Sequence, residues 1–122
     1  MARTFVRLGA IAGFFGVAFG AFGAHLLRGR LAPDLLAVFD TGVRYQLVHA
    51  VALVIVGIAA GRKPARLVVA AGWCFAGGIA LFSGSLYLLA LTGTAMFGAV
   101  TPLGGVLLLC GWACLALGFG SD

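Results

Sequence analysis

The sequence predicts an all-α fold: a four-transmembrane-helix bundle with a short interfacial helix between the first and second spans. Three observations lead there. Of the 122 residues, 63% are hydrophobic and only 9% are charged, whereas a soluble domain carries about 25% charged residues. So little charge cannot coat a water-facing surface, and a mean hydropathy of +1.18 says the same. The apolar residues fall in runs near the ~20 residues a helix needs to cross a bilayer. The basic residues, eight against three acidic ones, cluster between those runs, as cations that anchor helices at lipid headgroups do.

The first span is expected over residues 8–27, flanked by Arg3, Arg7, Arg28 and Arg30. Gly9, Gly13, Gly16, Gly20 and Ala24 recur at intervals of three and four, so they share one face that a neighbouring helix can approach closely. Two arginines before an apolar stretch, followed by "AFGA", also fit a secretory signal peptide. The stretch is longer than the usual signal core, however, and a glycine face has no use in a discarded peptide, so the segment is expected to be retained.

Residues 28–43 form a connector. Pro33 suits a first helical turn, and Leu31, Leu35, Val38 and Phe39 fall on one side, which predicts a short helix lying flat at the membrane boundary. It should end at "DTG", with Asp40 or Thr41 capping the next helix and Gly42 relieving the turn. The second span follows over residues 43–60, closed by Gly61 and "RKPAR". Beyond Arg66 no charge appears until Asp122. A single helix of those about 55 residues would extend about 80 Å, against a hydrocarbon core of ~30 Å. The run must fold back once, in "TGTAMFGAVTP", with Thr101 as N-cap and Pro102 at the first helical position. That leaves spans over residues 67–91 and 103–119, and a single transmembrane domain over residues 1–122.

Arg3, Arg7, Arg62, Lys63 and Arg66 share one side of this arrangement. Arg28, Arg30 and Arg44, offset by Asp34 and Asp40, share the other. The imbalance predicts both termini in the cytoplasm and the chain in the cell inner (plasma) membrane. A nucleic-acid role is not expected from the net charge of +5, because it needs a basic stripe with stacking aromatics on a soluble face. Cys74, Cys110 and Cys114 lie inside apolar runs. The last two share a helical face, but no His or Met joins them as a further soft ligand. They read as small packing residues, with no metal and no cofactor expected.

The stretch "RYQLVHA" puts several hydrogen-bonding side chains at the mouth of the second span. Antiparallel spans bring His25, Arg44, Tyr45, Gln46, His49, Ser83, Ser85, Tyr87 and Thr101 to one side of the membrane. Counted from residue 43, His49 lies about 9 Å inside its helix, and an unpartnered polar group there costs several kcal/mol. It should be neutral and bonded to Tyr45, Ser83, Ser85 or a trapped water. Asp40 and Arg44, four apart, could pair at the rim. Together these residues predict a polar cavity capped by the interfacial helix. Each also has a purely structural use: Arg44 and Tyr45 as interface anchors, the serines bonded back to their own helix, and His25 at the headgroups.

"GAFGAHLL" at 20–27, "FDTGVRYQLVHA" at 39–50, "GGIALFSGSLYLLAL" at 77–91 and "TPLGGVLLLCGW" at 101–112 resemble the YgdD family. Its eukaryotic relatives are called transmembrane protein 256, and it is also known as domain of unknown function 423. The resemblance covers nearly the whole chain in order. It implies a small multi-pass protein of a bacterial inner membrane or an organelle, and no particular chemistry.

Three functions compete. The first is a non-catalytic bundle that self-associates or serves as an accessory subunit. It would meet a second copy or a membrane-protein partner through the glycine faces of the first helix and of Gly72, Gly77, Gly78 and Gly84. The alternative is binding or transport of a lipid headgroup, a small molecule or protons around His49, although no intramembrane carboxylate accompanies it. The third, an intramembrane enzyme with Ser83 or Ser85 activated by His49, lacks a nucleophile elbow, a metal triad and paired carboxylates.

Overall fold

Apolar helices that must satisfy their own backbones inside lipid form four rods here. The computed structural model describes residues 1–120. It places α1 at Ala2–Leu27, α2 at Pro33–Arg62, α3 at Arg66–Thr92 and α4 at Thr101–Gly118. A 3₁₀ turn at Ala95–Ala99 leads into α4. All four helical segments are long and apolar enough to cross a membrane. The helices overrun the expected apolar spans because a helix does not stop where hydrophobicity does: Arg3 and Arg7 are already helical.

The connectors follow local chemistry. Gly29, at φ +85°, turns the chain after α1. Pro64, which has no N–H to donate, separates α2 from α3. Gly93, at φ +69°, closes α3 by donating its N–H to Leu89 O at 2.8 Å, the left-handed cap that glycine favours.

The expected interfacial helix does not stand apart. Pro33–Arg62 is one helix of 30 residues, running through Asp40, Thr41 and Gly42 without a break. Thr41 does not cap: its hydroxyl donates back to Ala37 O at 3.0 Å. Gly42 relieves no turn, since it lies beneath the Tyr87 ring, whose Cε1 would be 2.8 Å from a Cβ there. Between Arg44 and Arg62 the rod rises about 27 Å, close to the thickness of the hydrocarbon core. The preceding turns therefore continue the same rod beyond the apolar slab. Thr101, expected as the N-cap of α4, is its first helical residue, with Val100 in the cap position.

Two antiparallel seams hold the bundle together. Along α1 and α2, Gly9 faces Val54 and Ala50, Gly16 faces Leu47, Gly20 faces Val43, and from the other side Gly57 faces Val6. Along α3 and α4, Gly104 faces the Phe82 backbone, Gly78 faces Leu108, and Gly111 faces the Phe75 ring. Phe5 of α1 joins the two hairpins: its ring covers Gly72 and meets Trp73 edge-on at 5.1 Å. Around it lies the core of Leu53, Val56, Val68, Ala71, Phe75 and Leu108. The glycine faces expected to serve self-association are thus largely occupied within the chain; Gly84 remains open.

Each odd-numbered helix also contains one wide π turn, Phe19–Gly23 in α1 and Ile79–Ser83 in α3. Such turns add a residue within a helix and often border functional or irregular contacts. Both border the same stretch of α2, with Gly20 opposite Val43 and Ser83 bonded to Gly42 O.

Substitutions in one stripe separate close approach from mere smallness. A Cβ at Gly9 would sit 2.8 Å from Ala50 O and 2.9 Å from Val54 N, both backbone, whereas at Gly13 the nearest atom is Ala50 Cβ at 3.9 Å. Gly9→Ala should destabilise by about 1–3 kcal/mol through overpacking. Gly13→Ala should be neutral or stabilising by up to about 1 kcal/mol, from helix propensity. Unfolding of the detergent-solubilised variants measures both.

Candidate functional site

Inside lipid, a polar side chain is kept only if a protein group answers it. Among the described residues no buried side-chain nitrogen or oxygen lacks a hydrogen-bond partner. The site residues expected from the sequence divide among several separate helix–helix contacts.

The first contact ties three helices. Gln46 is 5% exposed; its Nε2 donates to Ala12 O of α1 at 2.8 Å, and its Oε1 accepts from the Tyr87 hydroxyl of α3 at 2.5 Å. Gly16 explains the reach to Ala12. That carbonyl lies one turn before Gly16, and the missing side chain leaves it open to a neighbour. One turn earlier on α2, Ser83 Oγ donates to Gly42 O at 2.7 Å. Gly42 and Gln46 are four apart on α2, and Ser83 and Tyr87 are four apart on α3, so both bonds join one face of each helix, with the Tyr87 ring lying over Gly42 on its way to Gln46.

The second contact joins α2 to α4. His49 is 5% exposed. Its Nε2 accepts from Trp112 Nε1 at 3.0 Å, and its Nδ1 lies 2.7 Å from Tyr45 O. An indole N–H can only donate, so Nε2 carries no proton and Nδ1 donates to the carbonyl. One neutral tautomer satisfies both bonds. Phe75 packs against both rings, at 5.6 Å from His49 and 5.0 Å from Trp112. The Tyr45 ring stacks on His49 at 6.1 Å and touches Phe82 at 4.5 Å.

The third contact joins α3 to α4. Ser85 Oγ donates to Phe82 O at 2.9 Å and shares a 2.6 Å bond with Thr101 Oγ1. Ser83 and Ser85 therefore bond to Gly42, Phe82 and Thr101 rather than to His49. Of the expected partners of His49, only Tyr45 is bonded to it, and through its carbonyl. Arg44, Asp40 and His25 are exposed, and no ion pair joins Asp40 to Arg44 among the described residues. Without a separate interfacial helix, no lid closes over these groups.

One surface feature adjoins the second contact. A groove of about 420 Å³ opens between α2 and α4, lined by Tyr45, His49, Phe82, Val106, Leu109 and Trp112 among others. A smaller pocket of about 250 Å³ continues from it past Tyr45 and His49 to Arg44. Tyr45 is 42% exposed and Trp112 43%.

Sequence reasoning missed Trp112 and Ala12. A signal for the tryptophan existed: an indole N–H deep in the fourth span needs an acceptor, and His49 needed a partner. The Ala12 carbonyl leaves no trace in the sequence beyond the glycine four residues on. Cys74, Cys110 and Cys114 are free thiols.

Two measurements check these bonds. In ¹⁵N spectra His49 should show the Nδ1-protonated tautomer, and Trp112→Phe should abolish that preference by removing the donor to Nε2. Gln46→Leu and Tyr87→Phe should each cost about 1–2 kcal/mol. Their double mutant should fall short of the sum by up to about 1.7 kcal/mol, the upper range for hydrogen bonds between membrane helices.

Comparison with known proteins adds the family. The family model described as "Protein of unknown function (DUF423)" matches residues 19–105. A UPF0382 membrane protein of Staphylococcus haemolyticus is 42% identical over 115 residues, covering 94% of this chain and 93% of its own. The UPF0382 membrane protein YwdK of Bacillus subtilis is 44% identical over 111 residues, with 90% of each chain covered. A UPF0382 membrane protein of Haemophilus influenzae is 44% identical over 120 residues, covering 97% of this chain and 94% of its own. No solved structure matches this chain. With four apolar helices and relatives aligned over nearly its full length, the chain belongs to the DUF423 family of small multi-pass membrane proteins.

Proposed function

We propose that the protein is a non-catalytic accessory component of the membrane, a bundle complete in itself that presents one outer face to a membrane-protein partner. The observation that carries this reading is the use of the buried polar side chains as fasteners between helices. A serine nucleophile must lie within hydrogen-bond reach of its base, whereas Ser83 and Ser85 donate to backbone carbonyls and both nitrogens of His49 are engaged. With most glycines turned inward, a partner meets the aromatic groove between α2 and α4. Half-exposed Tyr45 and Trp112 there are of the types enriched at interfaces. The cations at Arg3, Arg7, Arg62, Lys63 and Arg66 support an inner-membrane placement with both termini cytoplasmic.

The adjoining pockets favour a second reading, in which a small amphiphile lies in this groove with its polar end toward Arg44 and Tyr45. Unchanged ligand binding and flux in proteoliposomes carrying His49→Ala or Tyr45→Phe would remove it.

A photo-reactive residue at Leu109, which lines the groove, should give one defined protein adduct in native membranes. The same probe at Val17, exposed on α1, should give none. Trp112→Ala should eliminate the Leu109 adduct. Lipid adducts alone at both positions would overturn the accessory reading.

A further inference from the structure

A second groove opens at the opposite, cation-rich end of the bundle, away from every hydrogen-bonded contact described above. It measures about 350 Å³ and is walled by Ile55 and Ile58 of α2, Val68 of α3 and Phe119 just beyond α4, with Arg62 and Lys63 at its rim. Ile55, Ile58 and Phe119 are 52%, 57% and 71% exposed, so the apolar walls are open to the bilayer. From Arg62 down to Ile55 the groove runs about 10 Å along the rod.

We propose that this groove is a binding site for an anionic phospholipid, with one acyl chain between Ile55, Ile58, Val68 and Phe119 and the phosphate against Arg62. The two halves of the site select the ligand together. Apolar walls accept only hydrocarbon, and a guanidinium at the rim pairs with phosphate as a fixed fork of donors. A peptide strand in the groove would leave backbone N–H and C=O groups unanswered. Basic pockets between membrane helices hold anionic headgroups by the same combination. Arg3, Arg7 and Arg66 lie at the same end and raise the local concentration of anionic lipid, but Arg62 and Lys63 are the cations that line the groove. The site stands independently of the accessory role.

The test uses the full chain in a neutral detergent. Phosphatidylglycerol is compared with phosphatidylcholine of identical chains, with bound lipid read by native mass spectrometry and stability by thermal unfolding. Phosphatidylglycerol should remain bound and raise the midpoint, and phosphatidylcholine should do neither. Arg62→Gln should weaken phosphatidylglycerol binding about fivefold, whereas Arg3→Gln, which removes the same charge outside the groove, should weaken it by less than about twofold. Ile58→Trp fills the groove and leaves every cation in place, and it should abolish the retained lipid. Glycerol phosphate, the headgroup without chains, should not shift the midpoint. Equal losses from Arg62→Gln and Arg3→Gln would overturn the site in favour of diffuse surface attraction. So would undiminished binding by Ile58→Trp, equal retention of phosphatidylcholine, or an equal shift by glycerol phosphate.

Discussion

Two helices in lipid gain nothing by hiding apolar surface from their surroundings, because acyl chains are as apolar as leucine. They adhere only if their backbones come close enough for dense packing and for polar groups to meet. This chain achieves that with glycine on both sides of each hairpin. Gly9 and Gly16 admit the body of α2, Gly57 admits α1, and Gly104 admits the backbone of Phe82. The rest of the architecture depends on this approach, including where the polar side chains can reach. Gln46 bonds to a carbonyl of α1 because Gly16 leaves that carbonyl bare, and the Tyr87 ring fits over Gly42 so that its hydroxyl meets Gln46.

The dense polar stretch at the start of the second span is thereby accounted for by position. Successive turns of α2 address different neighbours. Gly42 and Gln46 face α3 and, through the amide, α1; His49 faces α4. Arg44 and Tyr45 point outward. One helix thus serves as the common post for the other three, which fits its being the most buried of the four candidate spans at 50%. The contact through His49 is demanding. Its acceptor must be unprotonated to receive the indole N–H, so the imidazole acts here as an oriented neutral ring rather than as a charge.

Much of this was legible in the sequence, and the failures have a common cause. Run length and charge clusters located the four helices; bilayer thickness required one fold-back after Arg66, and the turn residues of "TGTAMFGAVTP" with Pro102 gave its place. The glycine face of α1 was also legible, but not whom it would meet. Spacing identifies a smooth face without saying whether a second copy or the chain's own next helix will cover it. "DTG" misled because Asp, Thr and Gly are the residues of a helix boundary. Here Thr41 bonds to its own helix and Gly42 makes room for an aromatic ring from α3, which only the tertiary arrangement reveals. Depth reasoning brought His49, Gln46, Tyr87 and the serines to one side of the membrane, where the structure divides them among three helix contacts. It could not assign partners, since pairing depends on rotation about each helix axis, and the π turn at Ile79–Ser83 resets that rotation partway along α3.

The same bookkeeping of partners bears on where function can lie. A buried polar group that is already satisfied resists recruitment, because a ligand must break an existing bond before making a new one, and the net gain from one hydrogen bond is only about 0.5–1.5 kcal/mol. The interior of this bundle therefore offers little to an incoming molecule. The outer surface differs. Both lateral grooves have apolar walls, and a cation lies near each, Arg44 in the first half of α2 and Arg62 at its last residue. Exposed side chains line each groove, so the readings proposed above need no aqueous entrance: a lipid or a partner would arrive from the bilayer. The buried hydrogen bonds thus hold the four helices to one another, while Arg44, Arg62 and Lys63 line the outer grooves.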